Sequence, residues 1–194
     1  MSKNSALIEK DGVKFEALAL QGCYLITPLI HGDSRGYFFE SYRRSTFDAV
    51  VGQTNFIQDN ESLSGMGVLR GFHFQTGDKA QAKLVRVIRG RVRDFIVDLR
   101  RDSVSFGQVI QVELSAENQK QLFVPRGFGH AFLTMENDTI FSYKVDNDYD
   151  KDADSGINFF SKQLLFERHI KPENALMSNK DQQLNEFDSN KIYF

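Results

Sequence analysis

The sequence predicts an all-β protein, a sandwich or small barrel. Three observations lead there. Short β-prone runs bounded by turn residues recur over most of the chain, several alternate polar and apolar side chains at period two, and no long helices separate them as a parallel α/β sheet would require. The first clear run is 24–30. A second, 36–42, follows a turn at 32–35, and a third covers 68–74. Runs 84–88 and 92–99 flank Arg89-Gly90-Arg91, which reads as a hairpin. Residues 108–114, 121–124, 130–134 and 139–145 complete the set. Within 92–99 one face carries Val92, Asp94, Ile96 and Asp98. The other carries Arg93, Phe95, Val97 and Leu99 and is the more apolar.

Helix is scarce. Residues 45–51 predict one, with Ser45 as a cap-like start, Asp48 three positions on and Gly52 as the stop. From about Ser155 the chain is less regular, and short helical turns are expected at 161–166 and 179–184, within a C-terminal stretch of short helices over 161–194. With no internal repeat and no low-complexity linker, residues 1–194 read as a single domain.

A hydrophobic content of 41% supports a sizeable core, and with eighteen Phe and no Trp its aromatic packing falls to Phe and Tyr. The formal charge of −2 argues against a general nucleic-acid binder. The local arginines at 86, 89, 91, 93, 100 and 101 read as solvated strand faces. Cys23 is the single cysteine, so no disulfide forms within the chain and a cytoplasmic setting is expected. Residues 1–10 lack the apolar core of a secretory signal, and no apolar run is long enough to span a bilayer, so no membrane partner is expected.

The chemistry concentrates in one segment. His73 ends one apolar strand and Lys83 begins the next. A barrel can aim such a base and cation at one ligand, the imidazole to take a proton beside a carbonyl and the ammonium to neutralise the charge left on oxygen. Each residue alone has a plainer reading: a satisfied core histidine, a solvated lysine, and, for Tyr143, a barrel tyrosine with its hydroxyl at the rim. The spacing of Gly67, His73, Gln75, Lys83 and Gly90 is similar to that of the cupin barrel, with Gln75 where a second histidine would stand and Lys83 where a glutamate would. Pro125, Gly127 and His130 match the later cupin pattern. Two of four usual metal ligands are therefore replaced, one of them by a cation, and no metal is expected in this pocket. The acidic run 146–152 fails the calcium-loop pattern, because Lys151 stands at the glycine position and Ile157 at the final glutamate.

Read in order, several blocks resemble the dTDP-4-dehydrorhamnose 3,5-epimerase family over roughly residues 20–185. They are Asp33-Ser-Arg35-Gly-Tyr-Phe-Phe-Glu40, Gln58-Asp59-Asn60, Arg70-Gly-Phe-His73, Ala82-Lys83-Leu-Val-Arg86, Asp98 to Ser103, Leu114 to Asn118, Pro125 to His130, and Tyr143-Lys144. The resemblance implies a cupin jelly roll, a homodimer whose N-terminal strands pair across the interface, no cofactor, and a dTDP-linked 4-keto-6-deoxy sugar as substrate. Protons at C3 and C5, flanking the C4 ketone, would be removed and returned on the opposite face. Carried over by position, His73 is the general base, Asp181 orients it, Lys83 stabilises the enolate and Tyr143 donates a proton from the other side. Arg35, Glu40, Gln58, Asp59, Asn60, Arg70, His130, Tyr149, Asp154 and Lys180 are the implied substrate contacts. Two positions depart from the family pattern: Glu61 stands where histidine is common, and Asp148 precedes Tyr149 where a tyrosine pair is usual. Two alternatives stay open: a C3-only epimerase of a related nucleotide-linked sugar, and a non-catalytic nucleotide-sugar-binding cupin.

Overall fold

The computed structural model describes residues 6–194. Its strands are β1 (Leu7–Lys10), β2 (Val13–Ala17), β3 (Tyr24–Thr27), β4 (His31–Asp33), β5 (Gly36–Phe38), β6 (Gln58–Ser64), β7 (Leu69–Gln75), β8 (Lys83–Arg89), β9 (Arg91–Asp98), β10 (Val109–Ser115), β11 (Gln121–Val124), β12 (Phe128–Thr134), β13 (Thr139–Val145) and β14 (Asp154–Gly156). Helix α1 (Arg44–Val51) lies between β5 and β6, and α2 (Asn179–Gln182) follows β14. Seven strands form one sheet in the order β1-β2-β3-β11-β8-β13-β6. Five form the facing sheet, β10-β9-β12-β7-β14, and β4 and β5 make a separate hairpin. This is the all-β cupin jelly roll that the sequence predicts. Among the described residues no helix is long and apolar enough to cross a membrane.

Alternation along the strands divides the apolar side chains between two cores. Val85, Val87, Leu122 and Phe141 of the larger sheet meet Val92, Ile96, Leu114 and Phe132 of the smaller one inside the barrel. The other face of the five-stranded sheet carries Leu69, Phe72, Phe74, Phe95, Val97 and Leu99 and is covered by Phe159, Leu164, Phe187 and Tyr193 from the C-terminal segment. The more apolar face of β9 therefore packs outward under that segment, and its mixed face, with Asp94, lines the barrel.

Three local expectations are corrected. Residues 89–91 do not close a hairpin: β8 pairs with β11 and β13, whereas β9 pairs with β10 and β12, so the chain turns a corner between sheets. Gly90 makes the corner at φ +79°, where a Cβ would lie 2.4 Å from Thr139 Oγ1. Helix α1 starts at Arg44 with no side-chain cap, which leaves Ser45 inside its first turn. Residues 161–166 form turns rather than helix. The Arg168 guanidinium gathers the carbonyls of Phe159, Ser161, Leu164 and Phe166, oxygens that helical hydrogen bonding would use.

Candidate active site

A β-bulge builds the site. His73 lies opposite His130 and Arg70 lies opposite Phe132, so three steps along β7 match two along β12. The extra residue resets the alternation, and Arg70 and His73 both turn into the barrel while Leu69, Phe72 and Phe74 stay in the outer core. Only glycine suits position 71. Its φ is +106°, and a Cβ there would lie 2.4 Å from the carbonyl oxygen of His130.

The C-terminal segment then reaches back to the bulge. Ser178 caps α2 by accepting from the Asp181 backbone N–H at 3.1 Å. This cap sets the buried Asp181 carboxylate 2.5 Å from His73 Nε2. Burial raises the carboxyl's proton affinity, but the His73 hydrogen bond and charge, with help from Ser178 and Lys180, outweigh it and hold Asp181 below the ordinary carboxylate range. The carboxylate therefore orients the ring and leaves Nδ1 as the nitrogen not tied to Asp181.

The opposite wall comes from the seven-stranded sheet. Tyr143 pairs with Val85, and Val145 with Lys83, so the phenol and the amine project from neighbouring strands into the same space. That cavity, about 180 Å³, is shared by Arg70, His73, Lys83, His130 and Tyr143. Burial pushes the Lys83 amine down to about 8, partly offset by the charges of Asp94 and Asp154. Burial pushes the Tyr143 phenol up, partly offset by the Arg70 charge. At neutral pH this leaves a protonated phenol across the cavity from the His73 ring, with an ammonium beside the phenol's strand.

Asn60 pairs with Tyr143, and Gln58 Nε2 donates to Asn60 Oδ1 at 2.7 Å, which places both on the cavity side of edge strand β6. Lys180 pairs with Asp154, whose Oδ2 also accepts from the Tyr149 hydroxyl at 3.0 Å. This trio sits at the start of β14, where Asp154 pairs with Gln75, two residues along β7 from His73. Three expected contacts lie elsewhere. Asp59 faces away from the barrel and pairs with Lys144 at 2.7 Å, because neighbouring strand residues point to opposite faces. Arg35 and Glu40 lie on and just beyond the exposed β4–β5 hairpin, paired with Asp33 and Arg43 at 2.5 Å each. Gln75 is buried and occupied by backbone: it donates to the carbonyls of Lys79 and Asp148 and accepts from the Asp150 N–H.

Comparison with known proteins fits this geometry. A family model described as dTDP-4-dehydrorhamnose 3,5-epimerase matches residues 17–189. The chain belongs to that family. The dTDP-4-dehydrorhamnose 3,5-epimerase of Escherichia coli K12 is 40% identical over 166 residues, spanning 85% of this chain and 89% of the relative. The crystal structure of the epimerase from Elizabethkingia anophelis NUHP1 superposes with a TM-score of 0.86 at 41% identity, covering 98% of this chain and 100% of the other. A Legionella pneumophila epimerase in complex with dTDP-4-keto-L-rhamnose superposes with a TM-score of 0.86 at 35% identity, covering 90% and 92%.

Within this epimerase fold one buried charge escaped sequence reading. Asp94 is fully buried on β9, and both its oxygens lie 2.9 Å from His130 Nε2. Its signal was present: an acidic residue between Val92 and Ile96 on a strand otherwise suited to a core. Of the two departures from the family pattern, Glu61 lines the cavity wall, and Asp148 lends its backbone carbonyl to Gln75.

Proposed function

We propose that this epimerase converts dTDP-4-keto-6-deoxy-D-glucose into dTDP-4-keto-L-rhamnose by inverting C5 and C3 without a cofactor. One observation carries the reading: the His73 imidazole and the Tyr143 phenol stand on opposite sheets of one cavity, with the Lys83 amine next to the phenol's strand. The C4 ketone acidifies the hydrogens on C3 and C5. His73 takes the proton from one of these carbons, the electron pair moves into the C4 carbonyl, and the Lys83 ammonium hydrogen-bonds the resulting enolate oxygen. Tyr143 then delivers a proton to the opposite face of the same carbon. A single base returns its proton to the face it left, so inversion asks for two groups on two walls.

Arg70, His130, Gln58 and Asn60 are positioned to hold the substrate inside the cavity, and Tyr149, Asp154 and Lys180 to hold it at the mouth. An arginine fork suits pyrophosphate oxygens. Arg35 and Glu40 fit the same role from a second copy. Their hairpin presents Tyr37 and Phe38 at 62% and 67% exposure, and among the described residues the exposed strand β1 ends the seven-stranded sheet with an open edge. A homodimer that pairs these N-terminal strands would cover the apolar arm and bring its arginine to the partner's cavity. The buried, unpaired Cys23 suits a cytoplasmic setting.

Deuterium uptake from D2O tests the reading. Substrate-dependent exchange at both C3 and C5 is expected, exchange at C3 alone would select the narrower epimerase, and tight dTDP binding with no exchange would leave only a binding protein. Mixing His73→Ala with Arg35→Ala subunits tests the dimer. Random exchange gives half heterodimers with one intact site each, so activity should recover to about a quarter of the wild-type value. No recovery would remove the cross-subunit arm.

A further inference from the structure

Behind the cavity wall, in contact with His130, lies a buried carboxylate that the proposed proton transfers do not use. Asp94 lies on the barrel side of β9, and its two oxygens grip His130 Nε2, turning that ring's Nδ1 away from the carboxylate. His130 lines the same cavity as Lys83, so the carboxylate stands behind a ring that shares the amine's pocket, and its charge opposes the drop that burial imposes on the amine. We propose that Asp94 is a positioning residue, a buried counter-charge that keeps Lys83 an ammonium and fixes His130, so that the forming enolate always meets a cation. This rests on the epimerase reading above.

The arrangement explains why Asp94 addresses His130 rather than the amine. A direct ion pair would consume the donors that Lys83 needs for the substrate oxygen. A carboxylate held one residue away lends its field without taking those donors, and a low-dielectric cavity makes that field strong. Several other charged or titratable groups surround Lys83. His73 and Arg70 come from β7, His130 from β12, Tyr143 from β13 and Glu61 from β6. His73 is bound to Asp181, Arg70 repels an ammonium, and the Tyr143 phenol is neutral. Asp154, on β14, is shared with Lys180 and Tyr149. Glu61 is exposed on the edge strand β6, so Asp94 is the buried carboxylate that can serve Lys83 and His130 together. Burial lifts its own proton affinity above the ordinary carboxylate range, and the pull of His130 and Lys83 limits that rise.

The test is the pH profile of kcat/KM for C5 exchange. The wild-type alkaline limb is expected near 8, where Lys83 loses its proton. Asp94→Asn removes the counter-charge, so the limb should fall by about one pH unit or more, with about a fivefold or greater loss at pH 8 and KM within about threefold. In a Lys83→Arg background the same substitution should move no limb in this range, because guanidinium does not titrate there. A folded, active Asp94→Asn enzyme with the wild-type limb overturns the proposal. If Asp94→Asn does not fold, His130→Gln decides: with Asp94 intact the limb should stay in place, and a downward shift would assign the effect to His130 instead. Absence of exchange in the wild-type protein would sink the epimerase reading itself, whereas an unmoved limb sinks only the role of Asp94.

Discussion

Replacing Asp181 with Asn probes the link between the C-terminal segment and the proposed base. Asn is nearly isosteric, and the helix cap uses the backbone N–H of residue 181, so α2 should stay in place. What is lost is a charge-assisted hydrogen bond of 2.5 Å to His73 Nε2 at a buried position. Hydrogen bonds to charged groups contribute about 1.5–3 kcal/mol. Here that energy matters most when His73 has taken the substrate proton and become an imidazolium, so it falls on the transition state, and kcat should drop about 10–150-fold. Asp181 lies behind the ring, so KM should change by less than about threefold. The readout is the rate of deuterium uptake at C5 and C3, followed by proton NMR. Because His73 holds the Asp181 carboxyl below its usual value of 3.8, the wild-type carboxylate stays ionised across any neutral assay, and the loss should be constant there. A folded Asp181→Asn protein with a wild-type exchange rate would refute the orienting role.

Three further outcomes follow from the same geometry. Tyr143→Phe keeps the ring but removes the donor, so exchange should persist while inversion is lost, a split visible by comparing deuterium uptake with product stereochemistry. Gly71→Ala forces a Cβ against the His130 carbonyl at positive φ. This should cost about 3 kcal/mol or more, lower Tm by about 6–12 °C, and displace both Arg70 and His73. Asp98→Asn weakens a buried carboxylate that accepts from Arg100, Ser103 and Ser105 at 2.6–2.9 Å, which should destabilise by about 2–4 kcal/mol at pH 7 in urea titrations. Burial opposes ionisation of Asp98, but those donors outweigh it and depress its proton affinity. The stability it contributes is therefore present above the unfolded value and lost as pH falls through the depressed one, so wild type and variant should converge in acid.

Strands that alternate, or that form a short apolar run buried on both faces, were readable from sequence. Residues 121–124 and 139–145 are strands with the expected bounds. Strand β6 escaped because its residues are largely polar, as suits an edge strand whose inner face lines a polar cavity. The 89–91 corner was misread because Arg-Gly-Arg between two β runs supports a hairpin and a sheet-to-sheet turn equally well. Local spacing does not reveal which sheet a strand joins.

The sequence by itself determined the all-β class, the residue types needed for proton transfer beside a ketone, and the ordered blocks that carry the family, since each is written in local pattern and side-chain chemistry. The tertiary structure alone decided that Asp94 is buried against His130, that Asp59 faces away from the cavity, and that Arg70 and His73 share a wall despite a spacing that places them on opposite faces of a regular strand. The reason is that such roles depend on distance and face. A bulge at Gly71, a capped helix about a hundred residues downstream, and the pairing of β8 with β13 set those, and no one segment encodes them.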